Sequence, residues 1–301
     1  MKHVLDKTNL YYVMSKKEEP VLNINPGDTV EIHTADCFSD QIISPDMDFS
    51  AVDWSNSNPA TGPIYVNDIH PGDVLKVTIE TIELGSRGLA TVNAGAGVMR
   101  DYIEKRCVKM FDVDTEHHTT NFNGLIMPLN PMIGVIGNAP ADASVPNSTP
   151  GPHGGNMDSK KCTDKSIVYL PVFQEGALFG LGDVHAKMGD GEVGISGLEI
   201  DAAVTVKLEK AENLATVHPV VIDEEGIYMF VSDESLDNGV DESVKQMIKI
   251  LQPLTDLSLE EITILMSLAG EAQINQVVDP LKTARFFIPH YVLNHYSIEF
   301  S

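Results

Sequence analysis

Most of the polar chemistry in this chain sits on two glycine-rich turns, Gly151-Pro-His153-Gly-Gly-Asn156-Met-Asp158 and Gly182-Asp183-Val-His185-Ala-Lys-Met-Gly-Asp190-Gly-Glu192. Glycine permits positive φ and close backbone approach, so short polar side chains on such turns can converge on one point. Two histidines and four acids gathered in this way are the material of a hydrolytic metal site. Imidazole with carboxylate suits zinc among other cations, whereas oxygen-rich turns suit calcium equally well. Asp183 and His185 are one residue apart and face the same way on an extended segment. That favours joint ligation, or an Asp–His hydrogen bond that supports a ligand.

The elements that must hold these turns are mostly strands. Val30-Glu31-Ile32, Leu75 to Ile79 and Val204 to Glu209 alternate apolar with polar residues, the pattern of half-buried antiparallel sheet. Pro26-Gly27-Asp28 and Pro71-Gly72-Asp73 each launch such a strand. Residues 121–155 are rich in Gly, Pro, Asn and Ser but keep Met132, Ile133, Val135 and Ile136, which predicts a packed loop in place of a linker. Val244, Met247, Ile248 and Leu251 predict one helix. Ser258-Leu-Glu-Glu261 is a capping box for a second helix that Gly270 stops. Gln276 to Pro280 and Arg285 to Pro289 read as strand, turn, strand. The predicted architecture is α+β and predominantly β. An antiparallel, β-sandwich-like body over residues 1–210 carries the active-site loops, and an α+β C-terminal lobe over residues 211–301 packs with it as one catalytic unit.

Composition narrows the partners. The 301 residues carry a net charge of −24, and no lysine or arginine cluster exceeds short pairs such as Lys16-Lys17 and Lys160-Lys161, so nucleic acid is excluded. No apolar leader or eighteen-residue apolar run is found, and a soluble cytoplasmic protein with no membrane partner is expected. Cys37, Cys107 and Cys162 form no CxxC pair, and reduced thiols are expected.

Several segments in register resemble the acetamidase/formamidase family: Asn58-Pro-Ala-Thr-Gly-Pro63, Pro131-Met-Ile-Gly134-Val-Ile-Gly137, the two turns above, and Ile274-Asn-Gln-Val277-Val278-Asp279-Pro280. The resemblance spans nearly the whole chain. It implies hydrolysis of formamide, acetamide or similar small amides to carboxylate and ammonia, by a soluble homodimer or higher oligomer using a divalent metal.

Amide hydrolysis needs an activated water, a polarised carbonyl and an acid for the departing nitrogen, and a bound metal can supply the first two. The expected ligands are Asp36, His153, Asp183 and His185, holding zinc in preference to calcium. Glu192 is the expected general base, and Asn156 the donor to the developing oxyanion. Asp158 has either a catalytic part or a turn-capping one. His117-His118 reads as surface, and Trp54 as a packed edge aromatic. Two alternatives stand beside this reading. Cys37 could be a nucleophile, although its acidic surroundings do not favour a thiolate. The scaffold could also be a non-catalytic small-ligand or calcium-binding protein.

Overall fold

A computed structural model describes residues 1–301. The body is antiparallel sheet built round two long strands, as the alternation predicts. The strands that position the site are β1 (Thr29–Thr34), β2 (Ala60–Val66), β3 (Val74–Val92), β4 (Met132–Gly137), β5 (Gly154–Asn156), β6 (Ile167–Pro171), β7 (Phe179–Lys187) and β8 (Leu198–Lys210). β8 pairs antiparallel with β1, β3 and β7, while β7 also pairs with β2 and β4. β1 alternates half-buried with buried residues along its whole length. Val30, Ile32, Ile79, Val204 and Val206 thereby enter a core cluster of 34 buried residues.

The C-terminal lobe contains β9 (Gly226–Asp233), α1 (Leu236–Leu251), α2 (Leu259–Ala269), β10 (Glu271–Gln276), β11 (Lys282–Pro289) and the short α3 (His290–His295). Ser258 and Glu261 form the reciprocal capping box, and Gly270 ends α2. Met247, Leu251, Ile262 and Met266 bury their apolar stripes in a second cluster of 17 residues, which also takes Val74 and Tyr169 from the body. The sheet runs on between the two regions, because Val220–Ile222 pairs with β6 on one side and β9 on the other. No helix is long and apolar enough to cross a membrane.

Two local expectations change. Residues 121–155 are not simply a packed loop, since β4 within them is a central strand whose six residues are all buried. Glycine in this strand lets other groups approach closely, which hides its strand character from a pattern reading. Residues 277–280 are turn, not strand. The Gln276 Oε1 accepts the Val278 and Asp279 N–H groups at 2.9 and 3.1 Å, and Pro280 has no N–H to offer.

Candidate active site

Three loops and two strands bring five carboxylates and one imidazole together. β7 supplies Asp183 and His185, and β8 places Glu199 directly across from His185 in the sheet register. Asp158 follows β5, Glu192 lies in the β7–β8 connection, and Asp279 occupies the β10–β11 turn. His185 Nε2 stands 3.0 Å from Glu199 Oε2, 3.5 Å from Asp183 Oδ1 and 3.9 Å from Asp158 Oδ1. Asp158, Asp183, His185 and Glu199 are each no more than 2% exposed, and Glu192 is 7% exposed.

The backbone is strained where it delivers these groups. Asp158, Asp183 and Glu192 have φ of 45°, 54° and 44°, and Asn58, whose Nδ2 donates to Asp183 Oδ2 at 2.9 Å, has φ of 52°. A non-glycine residue in the left-handed region persists only when its surroundings hold it there, and such residues gather at functional sites. Two glycines make the room. A Cβ at Gly134 would fall 2.5 Å from Asp158 Oδ1 and 2.8 Å from Asp183 Oδ2, and one at Gly197 would fall 2.5 Å from His185 Nδ1.

A cavity of about 230 Å³ opens above the cluster. Its polar wall includes Cys37, Asn58, Asn156, Asp183, Glu192 and Glu199, and its apolar wall Phe38, Trp54, Ile195 and Val278. Trp54 is therefore a cavity wall and not only a packed edge aromatic. Its ring meets Phe38 edge-on at 5.9 Å and lies 3.5 Å under the Arg106 guanidinium. A neighbouring cavity of about 320 Å³ shares Glu192 but none of the other cluster residues, so the smaller cavity is the one joined to the chemistry.

The electrostatics show groups that cannot all be charged at once. Burial, then the nearby Asp183 carboxylate, pushes Asp158 up to about 7. Burial, then Asp158, raises Glu192 and Asp279 well above the carboxylate range, and burial raises Glu199. Burial works to lower His185, but Glu199 and Asp183 outweigh it and hold the imidazole well above its usual value. Both Asp158 oxygens, Asp183 Oδ1 and Glu199 Oε2 are buried without a hydrogen-bond partner. Unpartnered buried carboxylate oxygens are costly unless a cation balances them. Within single 4.8 Å neighbourhoods, Asp158, His185 and Glu192 form one donor group, and Cys37, Asp183 and Glu199 another. The donor set fits a divalent cation.

This arrangement has a measurable consequence for stability. The Asp158 carboxyl holds a proton up to about pH 7 when folded, but has released it by about pH 4 when unfolded. Between those values the native state binds more protons, so stability falls as pH rises. His153, which burial lowers to about 4, acts in the opposite sense below about pH 6.5 and is silent above it. Above about pH 6.5, where His153 no longer opposes it, the last part of the Asp158 loss remains, about 1 kcal/mol, so cation-free protein is expected to lose about 2–4 °C of melting temperature between pH 6.5 and 7.5, given about 2–4 °C per kcal/mol for a chain of this order of size. Asp158→Asn or added Zn²⁺ should flatten that slope in a thermal melt, whereas an unchanged slope in both would remove the carboxylate cluster as its source.

Of the ligand set expected from sequence, Asp183 and His185 meet in the cluster, and Asp36 and His153 do not. Asp36 Oδ1 instead accepts the N–H groups of Phe38 and Asp40 at 2.8 and 2.9 Å, capping its own turn. The His153 ring is packed inside its turn, where a Cβ at Gly151 or Gly155 would fall 3.1 or 3.0 Å from a ring nitrogen. Those glycines make room for the imidazole, whose Nε2 is buried without a hydrogen-bond partner outside both donor groups. Asn156 lies at the cavity, and its Nδ2 donates to Asp279 Oδ2 at 3.1 Å. Asp158 stands among the donors and caps nothing with its carboxylate. Glu199 and Asp279 were not anticipated as site acids. His117 is an exposed partner of Asp114 at 2.9 Å, as its surface reading predicts.

Comparison with known proteins agrees with the fold. The model of the acetamidase/formamidase family matches residues 16–148 and 143–294. A recombinant predicted acetamidase/formamidase from Thermoanaerobacter tengcongensis has 44% sequence identity and a TM-score of 0.96, covering 99% of each chain. An acetamidase from Bacillus halodurans has 38% identity and a TM-score of 0.93, covering 97% of this chain and 99% of its own. A formamidase from Methylophilus methylotrophus is 24% identical over 243 residues, 62% of this chain and 60% of that protein. The chain spans about three fifths of the length of the curated relatives it matches.

Proposed function

The chain belongs to the acetamidase/formamidase family, and from that premise we propose that it hydrolyses short-chain aliphatic amides, formamide and acetamide among them, to carboxylate and ammonia. The observation that carries this reading is the convergence of buried, unpartnered carboxylate oxygens and His185 beneath one small cavity. A volume of about 230 Å³ lies below the range typical of drug-sized ligands, and its apolar wall of Phe38, Trp54, Ile195 and Val278 suits a short acyl group.

Asp158, Asp183, His185 and Glu199 would hold a divalent cation, which when bound supplies Lewis acidity and a more acidic water. The mixed imidazole and carboxylate donors favour zinc over an all-oxygen calcium shell. Glu192 faces the cavity and takes the proton of the attacking water on its carboxylate. It then returns that proton to the amide nitrogen as ammonia leaves. Its raised proton affinity, which burial and then Asp158 cause, suits it to hold that proton and hand it on. Asn156 has a second N–H on the Nδ2 that binds Asp279, and directs it at the substrate carbonyl oxygen as negative charge develops there. Asn58 holds Asp183 in its strained orientation.

Cys37 shares the cavity wall, but burial and then Glu199 and Asp183 hold its thiol far above the range in which a thiolate forms. Water is the better supported nucleophile. Ammonia release from formamide, acetamide and propionamide tests the reading. Turnover should be highest for the two smaller amides and fall for propionamide as the acyl chain meets Trp54 and Phe38, and no ammonia from any of them would refute it.

A further inference from the structure

Arg285 lies in the middle of β11, 2% exposed, and does not line the cavity. Its guanidinium makes four hydrogen bonds. Nη1 and Nη2 donate in parallel to Asp190 Oδ1 and Oδ2 at 3.0 and 2.7 Å, Nη1 also donates to Asn275 Oδ1 at 2.6 Å, and Nε donates to Gln273 Oε1 at 2.7 Å. The buried Asn275 passes the restraint on. Its Nδ2 donates to the carbonyls of Met157 and Asp158, the latter at 3.1 Å, and its own carbonyl accepts the Gly191 N–H at 2.6 Å. The Gly191 carbonyl in turn accepts the Val277 N–H at 3.2 Å.

One planar cation thus grips the residue two before Glu192 and, through a single amide, the backbone of Asp158. Asp158 and Glu192 are two of the residues that the fold holds in left-handed backbone conformation. A turn left to itself would relax out of that conformation. We propose that Arg285 is the positioning residue that fixes the Asp158 and Glu192 carboxylates relative to each other, so that the C-terminal lobe aligns a site built mainly on the body. The forked guanidinium is essential to this role, because it satisfies both Asp190 oxygens and Asn275 at once and an ammonium cannot reproduce that planar geometry.

The inference rests on the amidase reading above for its kinetic readout, and on Zn²⁺ binding for an independent one. Arg285→Lys keeps the charge and loses the fork. It should lower kcat for formamide about 10- to 100-fold, leave KM within about twofold, and weaken Zn²⁺ binding to chelator-treated protein by about tenfold or more in calorimetric titration. Asp190→Asn has a partly exposed side chain and carries the same test should the lysine variant fold poorly. The double variant should be no worse than the more severe single one, since both break one link. Wild-type kcat together with wild-type Zn²⁺ affinity in Arg285→Lys would overturn the proposal, as would fully additive losses in the double variant. If the wild-type protein releases no ammonia, the amidase reading fails while the Zn²⁺ titration still decides the role of Arg285.

Discussion

Glu192→Gln should lower kcat for formamide and acetamide by at least about a hundredfold, within the 10²–10⁴ range usual for a positioned acid–base group, while KM stays within a few-fold. The substitution is isosteric, so the cavity keeps its shape. The turn should survive, because it is held by backbone bonds from Glu192 N–H to the Gly189 carbonyl and from Ile195 N–H to the Glu192 carbonyl. Only the capacity to take up and release a proton disappears. The carboxylate it removes is raised by burial and by Asp158, so the wild-type pH–rate profile should carry an acid limb that the variant loses. Circular dichroism and a thermal melt identify any loss caused by unfolding. Wild-type kcat in a folded variant would take Glu192 out of the proton path and leave Asp279, a raised acid on the cavity wall outside the proposed ligand set, as the candidate.

His185→Ala is expected to reduce both activity and divalent-cation affinity by at least about a hundredfold, more than the 10- to 100-fold typical of groups that merely support a ligand. The imidazole is the one basic group within the cluster, 3.0 Å from Glu199 and 3.5 Å from Asp183. Removing it leaves like charges facing each other across a buried gap, and a zinc-type donor set without its nitrogen. The cation-free variant should therefore also melt at lower temperature, since stripping one partner from buried charges is strongly destabilising. Metal titration by calorimetry separates the two effects. Undiminished Zn²⁺ affinity would place the ion elsewhere in the molecule.

What the sequence showed of this site, and what it hid, follows from one physical distinction. Glycine marks close approach but does not say what approaches. At Gly134 and Gly197 the approach makes room for Asp158, Asp183 and His185 of the cluster, and Asp183, His185 and Glu192 could be picked out from their turn. At Gly151 and Gly155 the same signal reflects packing around the His153 ring, and that histidine was drawn into the expected ligand set. Asp36 misled for a related reason, since a short acid after a strand serves equally to cap its own turn. Glu199 was hidden because it sits in Leu198-Glu199-Ile200-Asp201, where alternation reads as a polar outer face. Its inward placement depends on pairing opposite His185, which no local pattern contains. Asp279 was in view within Val277-Val278-Asp279-Pro280, but only the docking of the C-terminal lobe brings it to the cavity. The fold was easier to read, since strand alternation and the Ser258 capping box are local signals. The central strand at Met132–Gly137 was masked by its glycines, of which Gly134 makes room for Asp158 and Asp183.

The central claim is that a divalent cation in this carboxylate–imidazole cluster is needed for amide hydrolysis. Ammonia release from formamide and acetamide, measured before exhaustive chelation, after it, and after restoring Zn²⁺ or Ca²⁺, tests it most directly. The account predicts turnover that chelation abolishes and Zn²⁺ restores in stoichiometric amount. Turnover that survives complete removal of metal would contradict it and return attention to Cys37, and tight Ca²⁺ binding without ammonia release would make the protein a binder on an amidase scaffold.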